Sequence, residues 1–152
     1  MNVRRTAVVT GASSGIGAAT VRRLRDEGFD VIAGARRLDR LRAVTEPLGA
    51  TALALDVRDP ASVELFAAQV PRCDVLVNNA GGALGLASLA NADDEHWRTM
   101  WETNVFGLML MTRALLPKLE ASGNGYIVNI GSIAGIETYP GGSGYTTVKH
   151  AV

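Results

Sequence analysis

A chain of 152 residues has the size of one domain, long enough to bury roughly 70% of its unfolded surface if the fold is complete. With 47% hydrophobic and 20% charged residues, the composition excludes a disordered or low-complexity chain. Fifteen Lys and Arg balance fifteen Asp and Glu, and zero net charge gives no field for holding nucleic acid or an anionic membrane, so neither is expected as a partner.

Met1 to Arg5 lead directly into an apolar run that ends at Thr10. That run is too short for a signal peptide or a membrane span, and the expected compartment is the cytoplasm. Thr6 to Thr10, Asp30 to Ala35, Thr51 to Leu55, Asp74 to Val77 and Tyr126 to Ile130 read as strands. The runs are nearly continuous rather than alternating, as in parallel strands buried on both faces. Between the first two lies a helix starting near Gly15, with Ile16, Thr20 and Leu24 in one row, Val21 beside them, and Gly28 at its end. Leu38 to Glu46 reads as a basic amphipathic helix. Asp59-Pro60 is a start signal for a helix covering Ser62 to Val70, with Asp as N-cap and Pro at the first helical position. Asn91 is the expected cap of a further helix running through Trp97 and Trp101 toward Leu119, with Pro117 ending or kinking it. Repeated strand-helix-strand order predicts a Rossmann-type, doubly wound parallel α/β sheet with right-handed crossovers, in one domain over residues 1–152.

Cys73 is the only cysteine, so no intrachain disulfide is possible, and its apolar neighbours Val75, Leu76 and Val77 suggest a packing residue, with a reactive thiol as the alternative. His96 and His150 are far apart, with no cysteine or second histidine at ligand spacing, and no metal site is expected.

Thr10-Gly11-Ala12-Ser13-Ser14-Gly15-Ile16-Gly17 follows the first strand and opens the first helix, the context that a dinucleotide pyrophosphate requires. Glycine permits a tight turn and close backbone approach, and the helix N-terminus offers unpaired N–H groups and a positive dipole end. A glycine-rich turn alone carries little weight, because a helix-packing turn looks much the same. Here three residues separate Gly11 from Gly15 and one separates Gly15 from Gly17. That spacing resembles the short-chain dehydrogenase/reductase family. Matches follow in order: Asp56 in Leu-Asp-Val-Arg-Asp, Asn78-Asn79-Ala80-Gly81, Asn104, Ser132, and Tyr145 with Lys149.

The resemblance implies that Gly11, Ser13, Ser14, Gly15, Ile16 and Gly17 hold the cofactor, that Asp56 and Val57 contact its adenine, and that Asn79, Ala80 and Gly81 support it. Structural roles stay open for Asp56 as a turn former and for the two asparagines as backbone-bonding residues. An NAD-selective site presents a carboxylate at the end of the second strand, where this chain has Ala35 followed by Arg36 and Arg37. Guanidinium groups there pair with a 2′-phosphate, so NADP (NADPH) is the expected cofactor. The alternative is a solvated helix face of Arg36, Arg37, Arg40 and Arg42.

Tyr145 and Lys149 are four positions apart and share a face if their segment is helical. A phenol is a poor base near neutral pH, and a neighbouring ammonium favours phenolate. The resemblance assigns Tyr145 to proton transfer with the substrate oxygen and Lys149 to favouring the phenolate and holding the nicotinamide ribose. It assigns Ser132 to a hydrogen bond with the substrate oxygen and Asn104 to a water in the proton relay. Val148 departs from the Ser or Thr common before the lysine, which bears on helix packing.

The segments Asn79 to Gly85, Asn129 to Gly135 and Tyr139 to Gly142 resemble the NADP-dependent 3-hydroxy acid dehydrogenase branch, which includes serine 3-dehydrogenases. A reductase of another small ketone or aldehyde is the alternative, and so is an inactive NADP-binding fragment. A sugar-nucleotide epimerase is disfavoured by the spacing of Gly11 to Gly17. Family members run to roughly 250 residues, so the chain is expected to be truncated at its carboxy-terminal side by about 100 residues, its sheet incomplete and its own activity lacking. The complete family member is expected to be a homotetramer, joined partly through the long helix from about Asp93 and the helix carrying Tyr145.

Overall fold

The computed structural model describes residues 4–152; Met1 to Val3, the first of the five residues before the apolar run, lie outside the described residues. Strands β1 (Thr6–Thr10), β2 (Asp30–Ala35), β3 (Thr51–Ala54), β4 (Val75–Asn78) and β5 (Tyr126–Asn129) form one parallel sheet in the order β3-β2-β1-β4-β5. Helix α1 (Gly15–Asp26) joins β1 to β2, α2 (Leu38–Thr45) joins β2 to β3, and α3 (Pro60–Ala68) joins β3 to β4. Helices α4 (Asp94–Trp101) and α5 (Gly107–Ala121), continuous through a π-helical segment at Glu102–Phe106, lead to β5, and α6 (Ser143–His150) follows it. This is the Rossmann-type α/β architecture that the alternation of strands and helices predicts.

Successive strand residues point to opposite faces, so a strand covered on both sides must be apolar at every position. Ala7, Val9, Val31, Ala33 and Val77 pack on one face against Val21 of α1 and Leu41 of α2. Val8, Ile32 and Leu76 pack on the other against Val63 and Phe66 of α3 and Met111 and Leu115 of α5. Among the described residues β5 pairs only with β4, and its Tyr126, Ile127 and Val128 are exposed. Among the described residues, no helix is long and apolar enough to cross a membrane.

Several boundaries differ from the sequence reading by a residue or two, the usual scatter at fraying ends. Three differences have physical causes. The buried side of α1 is Gly17 and Val21 with Leu24 half-buried, whereas Ile16 is 63% exposed, because the small Gly17 lets the helix lie close against the turn. Asp93, not Asn91, caps α4. Its Oδ1 accepts from the N–H groups of Glu95 and His96 at 2.8 and 3.3 Å, and a carboxylate serves a helix N-terminus better than an amide. Asn91 ends a preceding 3₁₀ turn and donates to the Ser88 hydroxyl. Pro117 does not end its helix, which continues to Ala121: the proline lies exposed, and the buried Leu115 and Leu119 hold the turns on either side.

Asp74 ties the sheet together at the start of β4. Its buried carboxylate accepts from the Thr6 N–H at 2.7 Å and from Arg72 Nε and Nη2 at 2.7 and 2.6 Å. Its N–H donates to Thr6 and its carbonyl accepts from Tyr126, which joins β1, β4 and β5 at one residue. The Arg72 hydrogen bonds pull the carboxyl down, burial pushes it up, and the Thr6 N–H helps leave it below its ordinary value. Beside it, Cys73 is fully buried and its thiol donates to the Val75 carbonyl. Burial and the Asp74 charge push that thiol up to about 12.

Asp74→Asn should cost about 1–3 kcal/mol in urea unfolding at about pH 7, because it removes a charged acceptor from the buried Thr6 N–H and breaks the pair with Arg72. A carboxyl depressed on folding stabilises fully above its unfolded value of about 3.9, and that contribution is lost as pH falls through the folded value. The parent and variant curves should therefore converge in acid; a constant offset down to about pH 2 would assign the effect to packing instead.

Candidate active site

β1 and β4 are neighbours whose chains depart to opposite sides of the sheet, and the crevice beyond their carboxyl ends is the place where such sheets bind ligands. The Thr10 hydroxyl accepts from the N–H groups of Asn79 and Ala80 at 3.0 and 2.9 Å. The Asn79 amide donates back to the carbonyls of Thr10 and Gly11 at 2.9 and 3.2 Å. The turn after β1 is thereby clamped against the turn after β4. Gly11 has φ +65°, and a Cβ there would lie 2.8 Å from Ala80 Cα; one on Gly17 would lie 2.6 Å from the Gly11 carbonyl oxygen. Only glycine fits either place. Ser14, the N-cap of α1, makes no side-chain cap bond, and the first turn of α1 carries no acidic residue. Its leading N–H groups and dipole are thus left for an anion.

A cavity of about 170 Å³ adjoins this turn, lined by Ser13, Arg36, Arg37, Asp56, Val57 and Arg58 among others. β2 ends on the buried Ala35, with no carboxylate at that position. Arg37 Nη2 donates to the Ser13 and Ser14 hydroxyls, each at 3.2 Å, and Arg36 is exposed. Asp56 accepts from Arg58 through both carboxylate oxygens. Burial raises the Asp56 carboxyl, but the Arg58 hydrogen bonds and the charges of Arg58 and Arg36 outweigh it and hold the group below its ordinary value. The sequence reading passed over Arg58; its place two residues after Asp56 was the available signal.

A second cleft of about 270 Å³ shares Gly11, Ser14, Ala80 and Gly81 with the first, so the two form one groove over the glycine turn. Ile16, Tyr145 and Lys149 line its far end. Tyr145 and Lys149 share a face of α6, with Lys149 Nζ 5.8 Å from the Tyr145 ring centroid and donating to the Ile130 carbonyl at 2.8 Å. Burial pulls the Lys149 ammonium below its ordinary value. Val148 is buried, as its packing position requires.

The two other expected catalytic residues sit differently. Asn104, buried in the π-helical segment, donates to the carbonyls of Gly82 and Met100 at 3.0 and 2.9 Å and accepts from the Gly82 N–H at 3.2 Å. One amide proton is spent on Gly82 and the other on Met100, so a water at this side chain has only an Oδ1 lone pair to bind. The Ser132 hydroxyl accepts from the Ala134 N–H at 3.2 Å and caps the short turn Ile133–Gly135, while its neighbour Gly131 lines the cleft.

A parallel sheet with a glycine turn at its switch point, and a Tyr-Lys pair facing the same groove, has the form of the crevices in which such sheets bind nucleotides. Residues 5–152 match the model of the short chain dehydrogenase family, and the chain belongs to that family. It is 60% identical over 148 residues to an uncharacterized oxidoreductase of Mycobacterium tuberculosis, covering 97% of this chain and 59% of that protein. It is 46% identical over 148 residues to an NADP-dependent 3-hydroxy acid dehydrogenase of Salmonella typhi, covering 93% and 60%. The chain therefore spans about 60% of the length of these relatives. Among solved structures, serine dehydrogenase from Escherichia coli aligns with a TM-score of 0.91 and 42% identity over 95% of this chain and 70% of that one. The closed form of serine dehydrogenase complexed with NADP+ aligns equally well, over 95% of this chain and 61% of that one.

Gly17→Ala should lower the urea midpoint by the equivalent of about 1–3 kcal/mol, since the added methyl meets fixed backbone. Unchanged stability would show that the turn yields more readily than its packing implies.

Proposed function

We propose that this chain carries the cofactor-binding and catalytic residues of an NADP-dependent oxidoreductase that moves hydride between nicotinamide and a small alcohol or carbonyl substrate, a 3-hydroxy acid and its 3-oxo acid. The observation that carries this reading is the groove itself: arginines without a carboxylate at one end, Tyr145 and Lys149 at the other. The groove fits the cofactor, because glycines leave the backbone bare where a pyrophosphate must approach and the α1 N-terminus holds no competing acid. When bound, the nicotinamide supplies or accepts the hydride. Arg36 and Arg37 hold the 2′-phosphate by charge-assisted hydrogen bonds, with Ser13 and Ser14 already fixing the Arg37 fork. Ile16, pointing away from the core, bounds the nicotinamide end. The Tyr145 hydroxyl exchanges a proton with the substrate oxygen. Lys149 keeps its charge near that phenol and holds the ribose hydroxyls, exchanging its bond to Ile130 for them. Ser132, whose cap bond uses only an oxygen lone pair, donates its hydroxyl proton to the substrate oxygen, and Asn104 keeps the Gly81-Gly82 wall in place. The 3-hydroxy acid assignment rests on the Salmonella typhi relative and the serine dehydrogenase structures.

We further infer that copies of the protein associate through the outer side of α4 and α5, where Trp101, Phe106, Met109 and Leu116 are exposed. Such a row of large apolar side chains costs stability in water and gains it when covered.

The purified protein should bind NADPH at least tenfold more tightly than NADH, and Arg36→Ala should remove about tenfold or more of the NADPH affinity, the worth of one charge-assisted pair. Equal binding of the two cofactors by the parent would refute the NADP assignment. In an enzyme of the relatives' full length, Tyr145→Phe should leave NADPH binding intact and slow reduction of 3-oxo acids by about 100- to 10,000-fold when chemistry limits the rate. Near-parental turnover in this variant would remove Tyr145 from the proton path.

A further inference from the structure

The adenosine end holds an ion pair that the preceding mechanism does not use. Asp56 follows β3 on a turn fixed at four points. The Leu55 N–H donates to the Ala35 carbonyl, and the Asp56 N–H donates to the Ser62 hydroxyl of α3. The Asp59 N–H donates to the Asp56 carbonyl, and the Asp59 side chain caps α3. On this turn, Asp56 Oδ1 accepts from the Arg58 backbone N–H at 3.0 Å and from Arg58 Nε at 3.3 Å, and Oδ2 accepts from Arg58 Nη2 at 3.2 Å. An ionised carboxylate has about four acceptor positions. Three are taken, all by one residue, and the position left over is on Oδ2.

We propose that Arg58 is a positioning residue for base recognition: it locks Asp56 into one orientation, as a charged group with one free acceptor, which then reads the exocyclic amine of the cofactor's adenine. The inference rests on the cofactor reading above. Both side chains line the adenosine cavity and each keeps about a third of its surface exposed, so the free position is reachable from the cavity. A carboxylate with every proton position empty accepts and never donates. It rewards a base edge that presents an N–H₂ group and penalises one that presents a carbonyl oxygen. Without the guanidinium fork, the Asp56 side chain is free to turn, and the reward is diluted over its rotamers.

The same geometry separates this role from phosphate binding. The Arg58 guanidinium is committed to Asp56 by two hydrogen bonds, and its charge is offset on the spot, whereas Arg37 is held only by neutral hydroxyls and Arg36 is exposed. Arg58 therefore leaves the choice between NADPH and NADH to the other two arginines.

The test measures dissociation constants by titration calorimetry for NADPH, NADH and the hypoxanthine analogue of NADPH, in which a carbonyl oxygen replaces the exocyclic amine. The parent should favour NADPH over the analogue by about tenfold, one charged hydrogen bond's worth. Arg58→Met should bring that ratio to within about twofold, weakening NADPH and leaving the analogue nearly unchanged. Arg58→Lys, which keeps the charge and loses the fork, should fall between, and the NADPH to NADH ratio should stay at the parental value in both. Equal weakening of all three ligands in Arg58→Met would overturn the proposal in favour of plain loop support, and a changed NADPH to NADH ratio would overturn it in favour of phosphate contact. If Arg58→Met does not fold, Arg58→Lys and Asp56→Asn carry the test: an unaltered base preference in both overturns it. A parent that binds NADPH but shows no base preference overturns this inference alone, whereas one that binds none of the three overturns the cofactor reading.

Discussion

The groove depends on a handful of hydrogen bonds between Thr10 and the Asn79-Ala80 segment. β1 and β4 lie side by side, yet their chains leave in opposite directions, and nothing in a parallel ladder holds the two departing turns together. The Thr10 hydroxyl accepting two N–H groups, with the Asn79 amide answering onto two carbonyls, supplies that hold. The glycines follow from it. Once the turns are clamped this closely, no Cβ fits on Gly11 or Gly17, and the peptide groups they free become the floor of the groove.

The two ends of that floor are built with different rigidity. At the end lined by Arg37 and Asp56, Ser13 and Ser14 hold the Arg37 fork, Arg58 holds the Asp56 carboxylate, and the α3 cap pins the segment from behind. At the other end, Lys149 reaches across from α6 to the Ile130 carbonyl, just beyond an edge strand. Ile130 is positioned by its N–H bond to the Asn78 carbonyl, and Asn78 bridges by its side chain to Asn129 and Thr112. The Asn78 Oδ1 is buried without a partner, an expense accepted where its amide spans β4, β5 and α5. The Lys149 ammonium is therefore tied to the sheet through a chain of hydrogen bonds that runs by way of two asparagines.

The sequence revealed what depends on local pattern. Apolar runs located the strands, because burial on both faces demands them, and the Asp59-Pro60 signal located α3 because cap chemistry is decided by adjacent residues. The glycine spacing and the Tyr145-Lys149 interval were legible for the same reason. What was not legible depends on partners distant in sequence. Asn91 and Asp93 are both good caps, and the choice followed from where the preceding turn placed the chain. Pro117 is tolerated because neighbouring leucines pay the local cost through packing against the sheet. Asn104 spends its amide on Gly82, 22 residues away, an engagement no spacing rule announces. Arg58 was hidden for the opposite reason: an Asp and an Arg two apart are common on surfaces, and only the cavity beside them gives the pair a meaning.

Cys73 has a use that its burial creates. It is the single thiol of the chain, sits at the start of β4 where three strands are joined, and is held protonated at neutral pH. Thiol reagents attack the thiolate, so alkylation of the folded protein must wait for the sheet to open around that residue. The molecule thus carries its own clock: the rate at which Cys73 becomes labelled reports how often the strands part, without a dye, a tag or an introduced residue.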